Sequence, residues 1–304
     1  MEDVGARQVS ARPATAEATD RWLAAALAVL GAGVALVAIL GPLLTDVIGY
    51  HVSDGAANQI AGGDFAGLVL VAPVSLAASV LVARRHPAGV VVAIGPAAYV
   101  MYTVIQLSVG GDVTRYPGNS ERFFPLFVGL LVLASGIAIR AWSAIDVKRL
   151  PTTTRRLDRL VGWFALVVAA FLALGLHLPG LLDAWQDQPS GTEYLADPVV
   201  FWLVKVMDLG LVVPALVAVG LGSLRGASWA SSAKYAAVGW MAMLGTAVAG
   251  MAITMQANDD QAATTANTVA FTSFALIALA IAVATYRPLF SSDTRVSSAR
   301  KERS

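Results

Sequence analysis

Two ionisable residues, Lys205 and Asp208, lie three positions apart inside a long apolar segment of the sequence. Residues at i and i+3 share a face of a helix, so these two side chains are expected to be neighbours. An ionisable group inside a membrane-spanning helix is costly and usually faces the bundle interior or water. One interpretation is a carboxylate with a tunable pKa that couples to a proton or cation. The other is that Lys205 extends to the membrane interface and Asp208 only pairs with it.

Several other polar residues are predicted at a similar depth to this pair. Tyr99, Tyr102 and Gln106 recur at i, i+3 and i+7, and therefore share one helix face. His177 lies near the end of the fifth apolar segment, and Asp64 lies at the mouth of the second. Together these residues predict a polar cavity that opens to the outside. Taken singly, each has an ordinary explanation as an interfacial side chain, an interhelical hydrogen bond or a helix cap.

Three prolines, Pro73, Pro96 and Pro214, fall inside apolar segments. Proline removes a backbone donor and can kink a helix. In transporters, interrupted helices of this kind line substrate sites. The alternative is that these prolines only shape the packing of the helices.

The composition determines which elements must position these residues. Apolar residues make up 57% of the 304, charged residues 13%, and the mean hydropathy is +0.68. A soluble domain carries about 25% charged residues, and a helix needs roughly 20 apolar residues to cross a bilayer. The sequence therefore predicts an all-α, polytopic transmembrane helix bundle over residues 21–290. Its eight predicted spans are Trp22–Leu44, Phe65–Ala83, Pro87–Leu107, Phe123–Trp142, Leu160–Leu182, Val199–Leu221, Ala233–Met255 and Thr268–Tyr286.

The basic residues predict how the bundle is oriented. Eighteen of the 21 lysines and arginines fall on the side of the chain termini, two fall in the opposite loops, and Lys205 is the last. Because basic segments stay in the cytoplasm, both termini are predicted to be cytoplasmic in a bacterial cytoplasmic (inner) membrane. The opposite loops carry eleven acidic residues. The polar tails, residues 1–20 and 291–304, are predicted to be disordered.

The composition also excludes several kinds of chemistry. The chain has no cysteine, which excludes disulfides, thiolate metal sites and cysteine catalysis. Its three histidines lie on separate segments, so neither a metal site nor a cofactor is predicted. A net charge of +1 gives no nucleic-acid footprint. The lipid bilayer is the predicted partner, a small-molecule ligand is left unidentified, and a homo-oligomer is left open.

The two halves of the chain show a repeated spacing. Pro73 precedes Arg84 by 11 residues, and Pro214 precedes Arg225 by the same number, at an offset of 141. This predicts two four-helix repeats, residues 21–142 and 160–290. Because four spans is an even number, the repeats would run parallel. The alternative is chance alignment, which is easy among helices rich in alanine, valine and leucine.

Two short motifs carry a resemblance. The segment 61–65, Ala-Gly-Gly-Asp-Phe, is followed by Pro73, Arg84-Arg85, Tyr99 and Tyr102, and the segment 207–214 reads Met-Asp-Leu-Gly-Leu-Val-Val-Pro. With these motifs the chain resembles a group of uncharacterised bacterial multi-pass integral membrane proteins. The resemblance implies the eight-span layout and transfers no activity or site residue.

Three classes of function remain. Eight spans, interrupted helices and Asp208 favour a small-solute or proton-coupled transporter-like role. An intramembrane enzyme acting on a lipid or apolar substrate would instead require at least two of the polar residues to converge around a pocket. A non-catalytic assembly or partner-binding component would require a solid interior in which Lys205 neutralises Asp208.

Overall fold

Eight long apolar helices form the molecule. The computed structural model describes residues 14–301 apart from 152 and 261, with side chains from 21 to 291 apart from 149 and those two. Each helix is long and apolar enough to cross a membrane, which confirms the predicted all-α multi-pass bundle. In chain order they are α1 (Ala14–Leu40), α2 (Asp54–Ala83), α3 (Ala88–Val109), α4 (Ser120–Ala144), α5 (Arg155–Ala184), α6 (Pro198–Arg225), α7 (Ala230–Ala257) and α8 (Thr265–Lys301).

The structure describes only part of the two predicted tails. Residues 1–13 and 302–304 are outside the described residues, whereas the backbone of 14–20 belongs to α1 and that of 291–301 to α8.

The start of α2 differs from the sequence prediction. The helix begins at Asp54 rather than Phe65, and the Ser53 hydroxyl caps it by accepting a hydrogen bond from the Ala56 N–H at 3.3 Å. Apart from Ile60, the first eleven residues of α2 are polar or small, so they lack the apolar run by which a span is recognised. As a consequence, Asp64 lies inside the helix and not at its mouth.

Neighbouring helices run antiparallel and divide their connections between two faces of the bundle. On α1 and α2, the Ser79 hydroxyl donates to the Ala24 carbonyl at 2.6 Å, while Gly41 lies against Asp64. We call one face the acidic face; it carries loops 41–53, 110–119, 185–197 and 258–264. The opposite, basic face carries loops 84–87, 145–154 and 226–229.

Glycines set the closest helix contacts. Gly62 of α2 crosses Gly250 of α7 so closely that a Cβ on Gly62 would lie 2.1 Å from the Met251 backbone nitrogen. Gly162 of α5 and Gly220 of α6 also face each other's backbone. In a bilayer the hydrophobic effect does not drive helices together, so close packing of small residues stabilises the contact instead. These crossings hold α2 on α7 and α5 on α6.

The surface of the bundle is apolar along the spans. Large side chains such as Val132, Ile139, Val206 and Val283 are exposed, although they lie within the helices. An exposed apolar belt on membrane-length helices is the surface that lipid covers. The most buried span is α7, and α4 is the least buried.

A buried lysine joins two helices near the basic face. The Lys234 ammonium group donates to Asp158 Oδ1 at 2.7 Å and to the Thr153 hydroxyl at 2.5 Å. Lys234 belongs to α7, whereas Asp158 lies in the first turn of α5. A buried charge needs such a partner because the low dielectric penalises it strongly.

Side-chain hydrogen bonds tie the loops of the acidic face to one another. Asn119 accepts from the Gly49 N–H at 2.9 Å and donates to the Val47 carbonyl at 3.1 Å. The Asp197 carboxylate accepts from both the backbone and the hydroxyl of Ser53. These bonds connect the loops before α2, α4 and α6, so the acidic face is a connected layer above the helices.

His51 adds a pH-dependent connection to this layer. Its Nδ1 lies 2.8 Å from the Tyr116 carbonyl, and its Nε2 lies 2.8 Å from a Glu121 carboxylate oxygen. Both partners are acceptors, so the imidazolium form, which has two donors, satisfies both. The hydrogen bond to Glu121 is the main cause that raises the pKa of His51 above its ordinary value.

We expect this connection to stabilise the protein more at acidic pH. Because the folded-state pKa is raised, the contribution is complete below the unfolded value of about 6.5 and is lost as pH rises through the folded value. In thermal unfolding of the purified protein, Glu121→Gln should therefore lower Tm by a few degrees at about pH 5.5, below the ordinary histidine pKa, and much less at about pH 8.5, above it. An equal loss at both pH values would contradict this role of His51.

Candidate functional site

Three polar side chains from three different helices meet in the half of the bundle nearer the acidic face. The Tyr102 hydroxyl of α3 donates to Asp208 Oδ1 at 2.6 Å. The His177 Nε2 of α5 lies 2.8 Å from Asp208 Oδ2. Asp208 and His177 are 4% and 2% exposed, so this hydrogen-bonded group, which we call the Asp208 cluster, is shielded from bulk solvent.

The cluster has a definite capacity to hold a proton. An ionised Asp208 only accepts hydrogen bonds, so the His177 Nε2 must carry hydrogen when it faces that carboxylate. A proton taken up by the pair can then rest on either partner. Proton uptake would change the charge of the cluster by one without breaking its geometry.

π-helical segments, in which the hydrogen-bond spacing widens, position both members of this pair. Asp208 begins the π-helical segment Asp208–Val212 of α6, and His177 ends the segment Phe171–His177 of α5. Each segment ends two residues before a proline: Val212 precedes Pro214, and His177 precedes Pro179. A proline inside a helix removes one N–H and its ring clashes with the carbonyl four residues earlier, so a wider turn relieves the strain. π-bulges of this kind are frequent at functional sites.

The other two prolines that the sequence singled out behave differently from each other. Pro73 follows a π-helical segment of α2, Gly67–Val71, as Pro214 does in α6. Pro96 follows a one-residue interruption of α3 at Ala93. Sequence reasoning did not single out Pro179 as a helix break, because it lies close to the predicted end of its span.

Lys205 does not pair with Asp208, and this corrects one of the two sequence interpretations of that residue. Its ammonium nitrogen lies 3.2 Å from the centroid of the Phe201 ring and 3.9 Å from a Glu193 carboxylate oxygen. The long lysyl chain extends toward the acidic face, where Glu193 lies in the short helix Thr192–Ala196. Asp208 instead turns toward α3 and α5.

A cavity of about 470 Å³ lies beside the cluster. Its walls are mainly apolar, and its rim includes Gly110, Glu193 and Thr264, which belong to the acidic face. Six of the seven polar candidates line it, whereas Lys205 is outside its lining; the six are Asp64, Tyr99, Tyr102, Gln106, His177 and Asp208. A small number of polar groups in a mainly apolar pocket of this size is typical of a small-molecule site.

A second carboxylate lies on another wall of the cavity. Asp64 is 6% exposed, and its Oδ2 has no hydrogen-bond partner among the described residues. The same is true of the Tyr50 hydroxyl. Tyr50 was not predicted from the sequence, because it belongs to the loop 41–53, where no helical periodicity indicates the direction of a side chain. In the structure its ring stacks on Phe127 of α4, with centroids 6.3 Å apart.

Asp64 and Lys205, which occupy matching positions at the 141-residue offset, do not meet. Asp64 lies against Gly41 at the end of α1, whereas the Lys205 side chain lies against Gly180 of α5. Each charge is therefore held within its own helix pair. Among the described residues, no three histidine, aspartate or glutamate side chains are grouped so that they could hold a metal ion.

No protein-family model, curated protein or solved structure matches this chain. The function must therefore be argued from the cavity and from the side chains that line it.

Proposed function

We propose that this integral membrane protein binds a small solute in the cavity and couples its movement to a proton at the Asp208 cluster. The observation that carries the proposal is the buried hydrogen-bonded pair of Asp208 and His177 in the wall of a cavity whose rim lies on the acidic face. Ionisable residues inside membrane spans are costly, so their retention beside a cavity supports a role in a solute or proton pathway.

The geometry supports a simple coupling scheme. In the deprotonated state the cavity wall carries the Asp208 charge, which attracts a positively polarised solute and orders the Tyr102 hydroxyl. Proton uptake by the Asp208–His177 pair removes that charge, weakens the attraction and releases the solute. A ligand shifts the equilibrium between two states only as far as its affinities for them differ, and the charge of this pair supplies such a difference.

For the cell we propose a bacterial cytoplasmic membrane with both termini in the cytoplasm. The support is the segregation of basic residues to one side of the bundle. In this orientation the acidic face and the cavity rim point outward. Labelling of cavity positions from the outside of intact cells tests the orientation.

We also propose that the two halves, residues 21–142 and 160–290, are repeats. The π-helical segment of α2, Gly67–Val71, and that of α6, Asp208–Val212, lie 141 residues apart at both ends. This is the offset of Pro73 and Pro214. Superposition of the two halves should bring these segments together, and a superposition that separates them would contradict the proposal.

An intramembrane enzyme is the second candidate, and one observation favours it. Tyr102 and His177 both lie within hydrogen-bond distance of Asp208, which is a geometry suited to general acid–base chemistry. The mainly apolar cavity would suit a lipid-like substrate. Mass spectrometry of lipids and solutes after incubation with the protein separates the candidates, because an enzyme changes covalent structure and a transporter does not.

Proton movement in liposomes tests the first candidate. Purified protein is reconstituted into liposomes that contain a pH-sensitive dye, and cationic, anionic and neutral solutes are added outside. We expect at least one solute class to change the internal pH faster than in protein-free liposomes. Rates equal to the protein-free rates for every class would overturn the proposal.

A further inference from the structure

The Asp64 carboxylate is a buried acid that the Asp208 cluster leaves unused. Its Oδ2 has no hydrogen-bond partner and no cation beside it among the described residues, although the side chain is almost fully buried. A buried polar atom without a partner is rare and costly, and it calls for a specific explanation. Asp64 also lines the cavity, so a ligand there could reach it.

Among the described residues, no cationic side chain lies beside Asp64, and the Leu43 backbone N–H is a donor to its carboxylate. The carboxylate lies against Gly41, directly after the last residue of α1, and a helix C-terminus carries partial negative charge. The acidic loops above the cavity add to this negative potential. A cation entering from that face would therefore be attracted by the field before it reaches the carboxylate.

The neighbouring side chains favour an organic cation over a metal ion. Metal cations such as Ca²⁺ take six or more oxygen ligands, whereas this part of the cavity offers Tyr50, Tyr99 and aliphatic side chains beside Asp64. Burial, with Asp64 as a second cause, raises the pKa of Tyr50 well above its usual value, so this hydroxyl stays protonated. Aromatic faces and an apolar wall suit the body of an organic ammonium ion.

We propose that the cavity binds a small organic ammonium ion, whose N–H groups donate to the Asp64 carboxylate and whose alkyl body packs against the apolar wall formed by Val34 and Met251. The inference rests on the proposed function, because it names the class of solute that the cavity takes. Asp64 recognises the ammonium group, whereas Asp208 and His177 handle the coupled proton at a different wall. The Tyr50 hydroxyl is a further polar group beside the bound nitrogen.

Binding to the purified full-length protein in nanodiscs tests the proposal. Butylammonium is the probe and 1-butanol, which has no charge, is its matched control; calorimetry measures affinity. We expect saturable binding of butylammonium and none of 1-butanol. Asp64→Asn should weaken binding at least tenfold, and Tyr50→Phe should weaken it severalfold. Asp187→Asn, at an exposed acidic position of the same face, should leave the affinity unchanged.

The outcomes separate this inference from the proposed function. Asp208→Asn should abolish solute-driven proton movement, and it should weaken butylammonium binding less than Asp64→Asn does. If Asp64→Asn is folded, as judged by gel filtration, and binds butylammonium like the wild type, the inference is overturned whatever the liposomes show. Failure of the wild type to bind butylammonium, or tight binding of Na⁺ in its place, overturns it equally. Proton movement driven by another solute class would then leave the proposed function standing.

Discussion

Asp208→Asn should reduce solute-driven proton movement in liposomes to the rate of protein-free membranes. Asparagine keeps the size and shape of aspartate, and its oxygen still accepts the Tyr102 hydrogen bond that the structure shows at 2.6 Å. Its amide nitrogen donates to His177 once the ring presents an unprotonated Nε2. The substitution therefore removes the titratable group while it keeps the packing. Reconstituted variants compared at equal protein content measure the effect.

Two further variants calibrate this result. Asp187→Asn, in an exposed loop of the acidic face, should retain the wild-type rate. Tyr102→Phe removes one hydrogen bond to the carboxylate and leaves the proton on the Asp208–His177 pair, so its rate should fall only in part. If the Asp208→Asn protein moves protons at the wild-type rate, the cluster has only a structural role.

Gly62→Ala should strongly destabilise the bundle. The new Cβ would lie 2.1 Å from the backbone nitrogen of Met251 and 2.4 Å from the carbonyl carbon of Gly250. Backbone atoms cannot rotate away as the end of a side chain can, so α2 and α7 would have to separate. Overpacking in a well-packed core costs about 1–3 kcal/mol, and a collision with backbone falls at or above the top of that range.

Gly210→Ala is the matched control, because a Cβ at Gly210 would meet nothing within 4 Å. Alanine is favoured over glycine in a helix by about 1 kcal/mol, so this variant should be as stable as the wild type or slightly more so. Thermal unfolding and the yield of monodisperse protein measure both substitutions. A Gly62→Ala protein as stable as the Gly210→Ala protein would contradict the close crossing of α2 and α7.

The fold was predictable because bilayer length and hydropathy constrain it strongly. Eight apolar runs of sufficient length suffice to place eight helices. The same criterion failed for the first third of α2. Apart from Ile60, the segment from Asp54 to Asp64 is polar or small, and it is recognisable as helix only through its packing on α7, which a single sequence does not show.

The sequence predicted which residues line the site better than it predicted which of them are in contact. Depth in the membrane singled out Asp208, His177 and Tyr102, because ionisable and hydroxyl groups are conspicuous there. Which of them touch depends on helix rotation, and helical spacing favoured Lys205 as the neighbour of Asp208. The long lysine side chain instead reaches Glu193. Tyr50 had no periodic signal because it lies in a loop.

Thiol labelling of α6 tests the central claim, that the cavity beside the Asp208 cluster opens to the acidic face. The chain has no cysteine, so single cysteines give an unambiguous signal. Val204 lines the cavity, whereas Val206, two residues along the same helix, is 66% exposed on the apolar perimeter. A membrane-impermeant methanethiosulfonate, added outside intact cells, should modify Val204→Cys and spare Val206→Cys. A Val204→Cys protein that stays unreactive from both sides of the membrane would contradict the cavity, and reaction only in inverted vesicles would contradict its orientation.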